Sequence, residues 1–219
     1  MVSKSRELYR AELRRVILDA ARTAFLRDGY ESLSMRALAE AAGLSHGAIY
    51  LHFKEKEEIF EALVGESFDQ LAAALQTLRG RGGDPVRFLK RAGRKYVEFG
   101  LSNPGAYEFA FLLRRPGRAG RPHLAYDYLR AAVQRCIDAG RFRVRNADAA
   151  GQAIWTAVHG VTALLIARPD FPWTSRKTLI GRVVDSAVDG LLVPSAQPSA
   201  VRPSRRPSAR TRKSATRRR

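Results

Sequence analysis

Apolar residues recur every three or four positions along most of the chain, which predicts amphipathic helices. The longest predicted helices run from Glu7 to Asp28, from Lys56 to Leu78, from Pro85 to about residue 102, from His123 to Ala139, and over about 147–167 and 175–192. A shorter aromatic helix is predicted from Tyr107 to Leu113. No segment shows the alternating pattern of a β-strand. With two short helices near residue 40, we predict an all-α fold of about nine helices.

The stretch from Ser34 to Lys56 predicts two short helices joined by a tight turn. Ser34 and Ser45 are suitable N-caps, and Gly43 can take the left-handed backbone that ends a helix. Ile49 and Phe53 would face inward from the second helix. This pattern is typical of a DNA-reading helix-turn-helix, although an ordinary helical hairpin has similar features.

Residues in this stretch also resemble the DNA-binding motif of the TetR family of bacterial transcriptional regulators. The matching residues are Ala39, Ala41, Ala42, Gly43, Ser45, Ile49, Tyr50, His52, Phe53, Lys56 and Glu57. The resemblance covers residues 6 to about 64, and beyond them only the helical layout is similar. It implies a site-specific regulator that is not an enzyme.

The resemblance implies contacts from Tyr50, His52 and Lys56 to phosphate, and it places Ser45, His46, Gly47 and Ala48 against the bases. We include Ser34 among the DNA-contacting residues. No Arg or Lys lies between Ser45 and Phe53, so the commonest base contact, Arg to guanine, is absent from the second helix. We therefore predict that Arg36 reaches the major groove. A phosphate-binding or solvated Arg36 is the alternative.

Breaks in the helical pattern divide the chain into three predicted parts. Residues 1–54 form the helix-turn-helix domain, residues 55–194 a helical regulatory and dimerisation domain, and residues 195–219 a disordered Arg-rich tail. Within the second part, a glycine-rich connector covers 79–85 and a basic loop covers 114–122.

The two most apolar helices of the second domain are predicted to pair two copies of the chain through a four-helix interface. The interface residues are Val158, Val161, Leu165, Val183, Val184, Ala187 and Leu191. Such pairing suits a palindromic operator. The alternative is that both helices belong to the core of one chain.

Aromatic residues of the second domain predict a pocket for a small hydrophobic ligand. The proposed ligand-binding residues are Tyr96, Phe99, Tyr107, Phe111, Tyr128, Trp155 and His159. The same residues could simply fill a core, and His159 could hydrogen-bond either a ligand or a carbonyl. Trp155 with His159 and Gly160 resembles one C-terminal domain type of the family, which supports the predicted dimer. The family resemblance also implies that the pocket receives an inducer, which shifts the helix leaving the DNA-binding domain and releases the repressor.

The charge of the 219-residue chain is +18, and half of this excess lies in residues 195–219, which carry nine Arg or Lys and no acid. Such a tail binds polyanions without sequence preference. An alternative function is therefore a DNA-coating protein driven by the tail, and a merely solubilising tail is also open.

Other functional classes find little support in the sequence. The four histidines form no metal-ligand cluster with Cys or carboxylates, and no nucleophile has a motif context. We predict no catalysis and no cofactor. The single cysteine suits a reducing cytoplasm. Residues 149–167 lack charge, but polar residues interrupt them, so we predict a buried helix rather than a membrane span.

Overall fold

A computed structural model describes residues 2–78, 83–113 and 124–194. The helices are α1 (Val2–Asp28), α2 (Met35–Ala41), α3 (His46–Ile49), α4 (Lys56–Gln76), α5 (Pro85–Ser102), α6 (Pro104–Tyr107), α7 (Leu124–Asp138), α8 (Ala147–Ala167) and α9 (Arg176–Asp189). One π-helical turn, Glu108–Leu112, follows α6. No β-strand occurs within these ranges, so the all-α prediction is confirmed. The proposed basic loop and Arg-rich tail lie outside the described residues.

The first core joins α1, α2 and α3 to the beginning of α4. Ile17 and Phe25 from α1, Leu38 from α2 and Ile49 from α3 are all fully buried in it. The core also contains Ile59, Phe60 and Leu63 of α4. The packing that holds the helix-turn-helix therefore extends past the proposed boundary at residue 54.

Helix α4 links this core to the remaining helices. Its 21 residues span about 30 Å. The second half of α4 contributes Leu71 to another core, which it shares with α5, α6, α8 and α9. A methyl group at Gly100 of α5 would lie 2.9 Å from Cδ2 of Tyr107 and closer still to Cγ2 of Thr162. The glycine therefore allows α5 to lie directly against α6 and α8.

The π-helical turn sends two aromatic rings to opposite sides. Phe109 is 1% exposed and packs in the first core, with ring centroids 5.7 Å from Phe25 and 4.8 Å from Phe60. Phe111, two residues later, packs 5.1 Å from Phe68 of α4 and 4.9 Å from Tyr107 of α6. The turn is therefore a second physical link between the two halves of the chain.

Helix α8 is long and apolar enough to cross a membrane by length and composition, and 39% of its most apolar window is buried within the chain. It packs against α5, α7 and α9. Its N-terminus is capped by Asn146, whose side chain accepts a 3.0 Å hydrogen bond from the Ala149 amide. These contacts agree with its interpretation as a core helix of the bundle.

The structure corrects several of the proposed interface residues. Val158, Val161, Leu165 and Val184 are at most 7% exposed, because they pack in the core shared by α4, α5, α8 and α9 of one chain. They cannot supply area to a second copy in this conformation. Val183, Ala187 and Leu191 are partly exposed.

Candidate functional site

A serine side chain caps the N-terminus of each helix of the helix-turn-helix. The Ser34 hydroxyl oxygen accepts a hydrogen bond from the Ala37 amide, and the Ser45 hydroxyl oxygen accepts one from the Ala48 amide, both at 3.2 Å. Gly43 has φ +68°, the left-handed conformation that most side chains disfavour. Each serine proton remains able to donate to a phosphate or base oxygen. The predicted turn chemistry is therefore present.

The outer surface of α2 and α3 carries most of the proposed DNA-contacting residues. Ser34, Arg36, Ser45, His46, Gly47 and Tyr50 are exposed, and Ala48 is partly exposed. Arg36 and His46 line one small recess between the two helices, together with Glu40. The structure thus brings together the two side chains that we expect to contact bases.

Tyr50 and His52 lie at the end of α3, where phosphate contacts were predicted. Tyr50 is 44% exposed, and its ring meets the His46 ring edge-on at 5.2 Å. Burial lowers the pKa of His52, and the nearby positive charges of Arg10 and Arg14 lower it further. His52 is therefore neutral near pH 7.

Lys56 makes contacts that compete with the predicted phosphate contact. Its ammonium donates a 2.9 Å hydrogen bond to the Tyr30 carbonyl oxygen and lies 4.3 Å from the centre of the Tyr30 ring. The Tyr30 hydroxyl in turn donates to Glu57 Oε1 at 2.5 Å, which lowers the pKa of that carboxyl group. Lys56 thus fastens the start of α4 to the first core, whereas Lys54 in the preceding loop is exposed.

A cavity of about 1100 Å³ lies among α4, α5, α7 and α8. Of the proposed ligand-binding residues, Tyr96, Phe111, Tyr128 and Trp155 line it. The sequence-based choice missed other lining residues, including Phe68, Leu71, Leu75, Gln76, Phe88, Tyr126, Arg135 and Gln152. The α4 residues among them follow the helical spacing that identified their helix, but spacing alone does not show which neighbour they face.

Three of the proposed ligand-binding residues do not line the cavity. Phe99 and Tyr107 are buried in the core because α5 and α6 pack tightly there. His159 lies behind the cavity wall, where its Nδ1 is 2.6 Å from the Tyr107 hydroxyl. These three residues do not border the cavity in this conformation, and a ligand contact from them stays a prediction.

Hydrogen bonds connect the cavity wall to these buried groups. Trp155 Nε1 donates to the Tyr96 hydroxyl oxygen at 3.3 Å, and the Tyr96 and Tyr107 hydroxyls are also 3.3 Å apart. Burial raises the pKa of both phenols and lowers the pKa of His159. All three groups are therefore neutral near pH 7, and the Tyr107 hydroxyl and His159 Nδ1 share a hydrogen bond whose donor is set by the histidine tautomer.

The lowered pKa of His159 predicts a loss of stability in acid. The unfolded state, with a histidine pKa of about 6.5, binds a proton more readily than the folded state. The contribution of His159 is therefore complete above pH 6.5 and is lost as the pH falls below it. We expect His159→Asn, which keeps an acceptor for Tyr107, to reduce the fall in Tm between about pH 7.5 and 5.5. His46→Asn, at an exposed histidine, serves as the comparison, and an unchanged pH profile in His159→Asn would contradict the assignment.

Two family models match the chain in succession. Residues 17–63 match the bacterial regulatory proteins of the tetR family, and residues 89–191 match the tetracyclin repressor-like C-terminal domain. The chain belongs to the TetR family. The first match covers the helix-turn-helix and the start of α4, and the second covers most of the cavity-forming helices. The family consists of regulatory proteins, which confirms the prediction that the chain is not an enzyme.

Curated relatives of this TetR-family protein are similar to about a third of its length. The HTH-type transcriptional repressor Rv1474c of Mycobacterium tuberculosis is 43% identical over 70 residues, which are 32% of this chain and 37% of the repressor. The HTH-type transcriptional repressor AcnR of Corynebacterium efficiens is 40% identical over 81 residues, 34% of this chain and 43% of AcnR. The chain thus matches less than half the length of these relatives.

A solved structure supports the likeness over the whole fold. The TetR family transcriptional regulator PfmR of Thermus thermophilus is 26% identical, with a TM-score of 0.59. The alignment covers 79% of this chain and 97% of PfmR. The helices that follow the helix-turn-helix, and not the helix-turn-helix alone, therefore follow the family's architecture.

Proposed function

We propose that this TetR-family protein is a cytoplasmic transcriptional repressor that binds a palindromic DNA operator as a dimer and is released by a small hydrophobic ligand. The observation that carries the proposal is the capped helix-turn-helix, whose second helix exposes Ser45, His46 and Gly47. Two curated relatives, each similar to about a third of the chain, are named transcriptional repressors.

Base reading in this proposal comes from α3 together with the first turn of α2. Gly47 is exposed, and a methyl group in place of its hydrogen would have no atom within 4 Å, so a duplex can approach the backbone closely there. Arg36 supplies the guanidinium that α3 lacks, and His46 lies in the same recess. A bidentate contact from Arg36 to guanine would provide discrimination of about 1–3 kcal/mol.

Arg36→Ala is therefore expected to weaken operator binding more than binding to unrelated duplex. The measurement is fluorescence anisotropy on an operator duplex, obtained by selecting genomic DNA fragments with the protein, and on a shuffled duplex of equal length. Arg27→Ala is the charge-matched control, because Arg27 is exposed at the far end of α1 and pairs with Asp28 at 2.6 Å. Equal weakening of both duplexes by Arg36→Ala would assign Arg36 to phosphate instead.

Dimerisation is proposed through the outward faces of α8 and α9. Ala153, Thr156, Leu164 and Ala167 of α8 are exposed, and Leu164 is 52% exposed. The small side chains of Ala153, Thr156 and Ala167 permit two helices to approach closely, and Leu164 supplies apolar area. Partly exposed Val183, Ala187 and Leu191 remain candidates beside them, whereas the four buried valine and leucine positions described above are withdrawn.

The cavity supports a hydrophobic ligand, because aromatic and aliphatic side chains form most of its wall. Its polar groups come from phenol hydroxyls and from a few charged or amide side chains, among them Gln76, Arg135 and Gln152. Phe68, Leu71 and Leu75 place α4 directly on this wall, while the first half of α4 holds the helix-turn-helix. Phe111 lines the wall as well, and Phe109 of the same turn packs in the first core. A ligand that displaces α4 or the π-helical turn would therefore change the position of the helix-turn-helix.

A DNA-coating protein driven by residues 195–219 is the second candidate function, favoured by the nine basic residues of that segment. Selection of genomic DNA fragments by the full-length protein, repeated without residues 195–219 at physiological salt, separates the two. A shared inverted-repeat motif from both proteins would support the dimeric repressor. Enrichment without a motif that collapses when the tail is removed would favour the coating function.

A further inference from the structure

The face of α1 that enters the first core changes its chemistry towards the N-terminus. Ile17, Ala21 and Ala24 lie on one side of the helix and are at most 3% exposed. With 3.6 residues per turn, Arg6, Arg10 and Arg14 lie on this same side. We call these three residues the arginine face. All three are exposed and extend over about 12 Å of helix beyond the core.

The arginine face adjoins the end of the proposed recognition helix. Arg10 Nη2 donates a 3.2 Å hydrogen bond to the Leu51 carbonyl oxygen. The Arg14 guanidinium lies 4.8 Å from the centre of the Phe53 ring. Leu51 itself is 71% exposed, and Tyr50 next to it is 44% exposed. The positive surface of α1 is thus continuous with the surface on which phosphate contacts are proposed.

Few acidic residues lie close enough on α1 to neutralise the positive charge of the arginine face. Glu12 and Asp19 point to the other side of α1, where both pair with Arg15, at 2.9 Å and 3.5 Å. Only Glu7 borders the arginine face between residues 6 and 14. The arrangement separates the signs of charge around one helix: paired charges lie on one side, and three arginines lie on the side of the recognition helix.

We infer that Arg6, Arg10 and Arg14 form an additional DNA-backbone site, which binds phosphates flanking the bases read by α3. The inference rests on the proposed function for the location of the duplex. Guanidinium groups bind phosphate oxygens with directed hydrogen bonds. Three of them spaced along one helix face suit successive phosphates of a DNA strand better than a single anion. Arg10 has a positioning role as well, because its bond to Leu51 ties α1 to the end of α3.

The arginine face also supplies the positive charge that the recognition helix α3 lacks. Lys56 is held by Tyr30, and no Arg or Lys lies between Ser45 and Phe53. Phosphate neutralisation supplies most of the affinity of a DNA-binding protein. The arginine face provides this charge beside α3 without placing a cation on the helix that contacts bases.

The test is the salt dependence of DNA binding by full-length protein. The probes are a duplex with the selected motif and a shuffled duplex of equal length, so that a protein without site preference can still be measured on the second one. The variants are Arg6→Gln, the triple Arg6→Gln/Arg10→Gln/Arg14→Gln, the corresponding triple Lys variant, and Arg15→Gln as the control from the paired side of the same helix.

Replacing one arginine that contacts a phosphate is expected to reduce the magnitude of the slope of log K against log salt by about 0.9. The triple Gln variant should lose affinity equally for both duplexes, and the triple Lys variant should recover most of the slope. Arg15→Gln should leave the slope unchanged. If the triple Gln variant misfolds, the single Arg6→Gln variant still tests the proposal, because it leaves the contacts of Arg10 and Arg14 near α3 intact.

An unchanged slope in the folded triple Gln variant would overturn the proposal, as would an equal reduction in Arg15→Gln. A wild-type protein that shows no motif would instead contradict the proposed function, while the slopes measured on the shuffled duplex would still decide whether the arginine face binds phosphate. The two failures are therefore distinguishable.

Discussion

Phe109→Ala is expected to reduce the free energy of unfolding by about 3–5 kcal/mol, the usual cost of removing a fully buried phenylalanine. The residue lies far along the chain from the helix-turn-helix, yet its ring packs against Phe25 and Phe60 in the first core. The cavity left by truncation would open between α1 and α4. We therefore expect loss of DNA binding at temperatures where the wild type is fully active, measured by chemical unfolding and by anisotropy.

Phe111→Ala is the matched control for this prediction. Phe111 lies in the same π-helical turn, but it is partly exposed and borders a cavity that already exists. Its removal should cost less than about 2 kcal/mol and should change ligand response more than DNA affinity. Equal destabilisation by the two substitutions would show that the turn, and not the insertion of Phe109 in the first core, determines the stability.

Ile49→Ala is expected to have the second largest effect, about 2–5 kcal/mol of unfolding free energy. Helix α3 contains only the four residues His46–Ile49, far too few to be stable alone. Ile49 is its one buried side chain and is 0% exposed. Without this anchor the recognition helix loses its fixed position, so operator affinity should fall together with the thermal stability of the N-terminal core.

Leu51→Ala separates anchoring from general loss of apolar surface. Leu51 follows two residues later and is 71% exposed, so its truncation should change unfolding free energy by no more than about 0.5 kcal/mol. Unfolding monitored by circular dichroism, with operator binding measured in parallel, compares the two variants. A stability loss as large in Leu51→Ala as in Ile49→Ala would contradict the assigned role of Ile49.

Local chemistry made the helix-turn-helix predictable. Serine caps, a glycine at positive φ and apolar residues at helical spacing act within a few residues of one another, so Ser34, Gly43, Ser45 and Ile49 could be placed from their neighbours alone. The observed limits of α8, Ala147–Ala167, agree with the predicted range for the same reason. Helix α1 begins five residues earlier than predicted.

Side-chain partners were less predictable than helices. Tyr107 and Phe111 were assigned the same role because both are aromatic and lie on the same short segment. In the structure Tyr107 is fully buried against His159, whereas Phe111 borders the cavity. The aliphatic residues Val158 and Val161 likewise had the composition of an interface but are buried within one chain. Composition identifies an apolar face, and it leaves open which surface covers that face.

The all-α class, the capped helix-turn-helix and the position of most helices could be predicted from the amino-acid pattern, because these features depend on contacts between residues close in the chain. Three features are visible only in the folded chain: Phe109 completes the first core, Lys56 is held by Tyr30, and the face of α1 bearing Arg10 adjoins the end of α3. Each of these depends on how helices pack over a sequence separation of tens of residues, which helical periodicity does not encode.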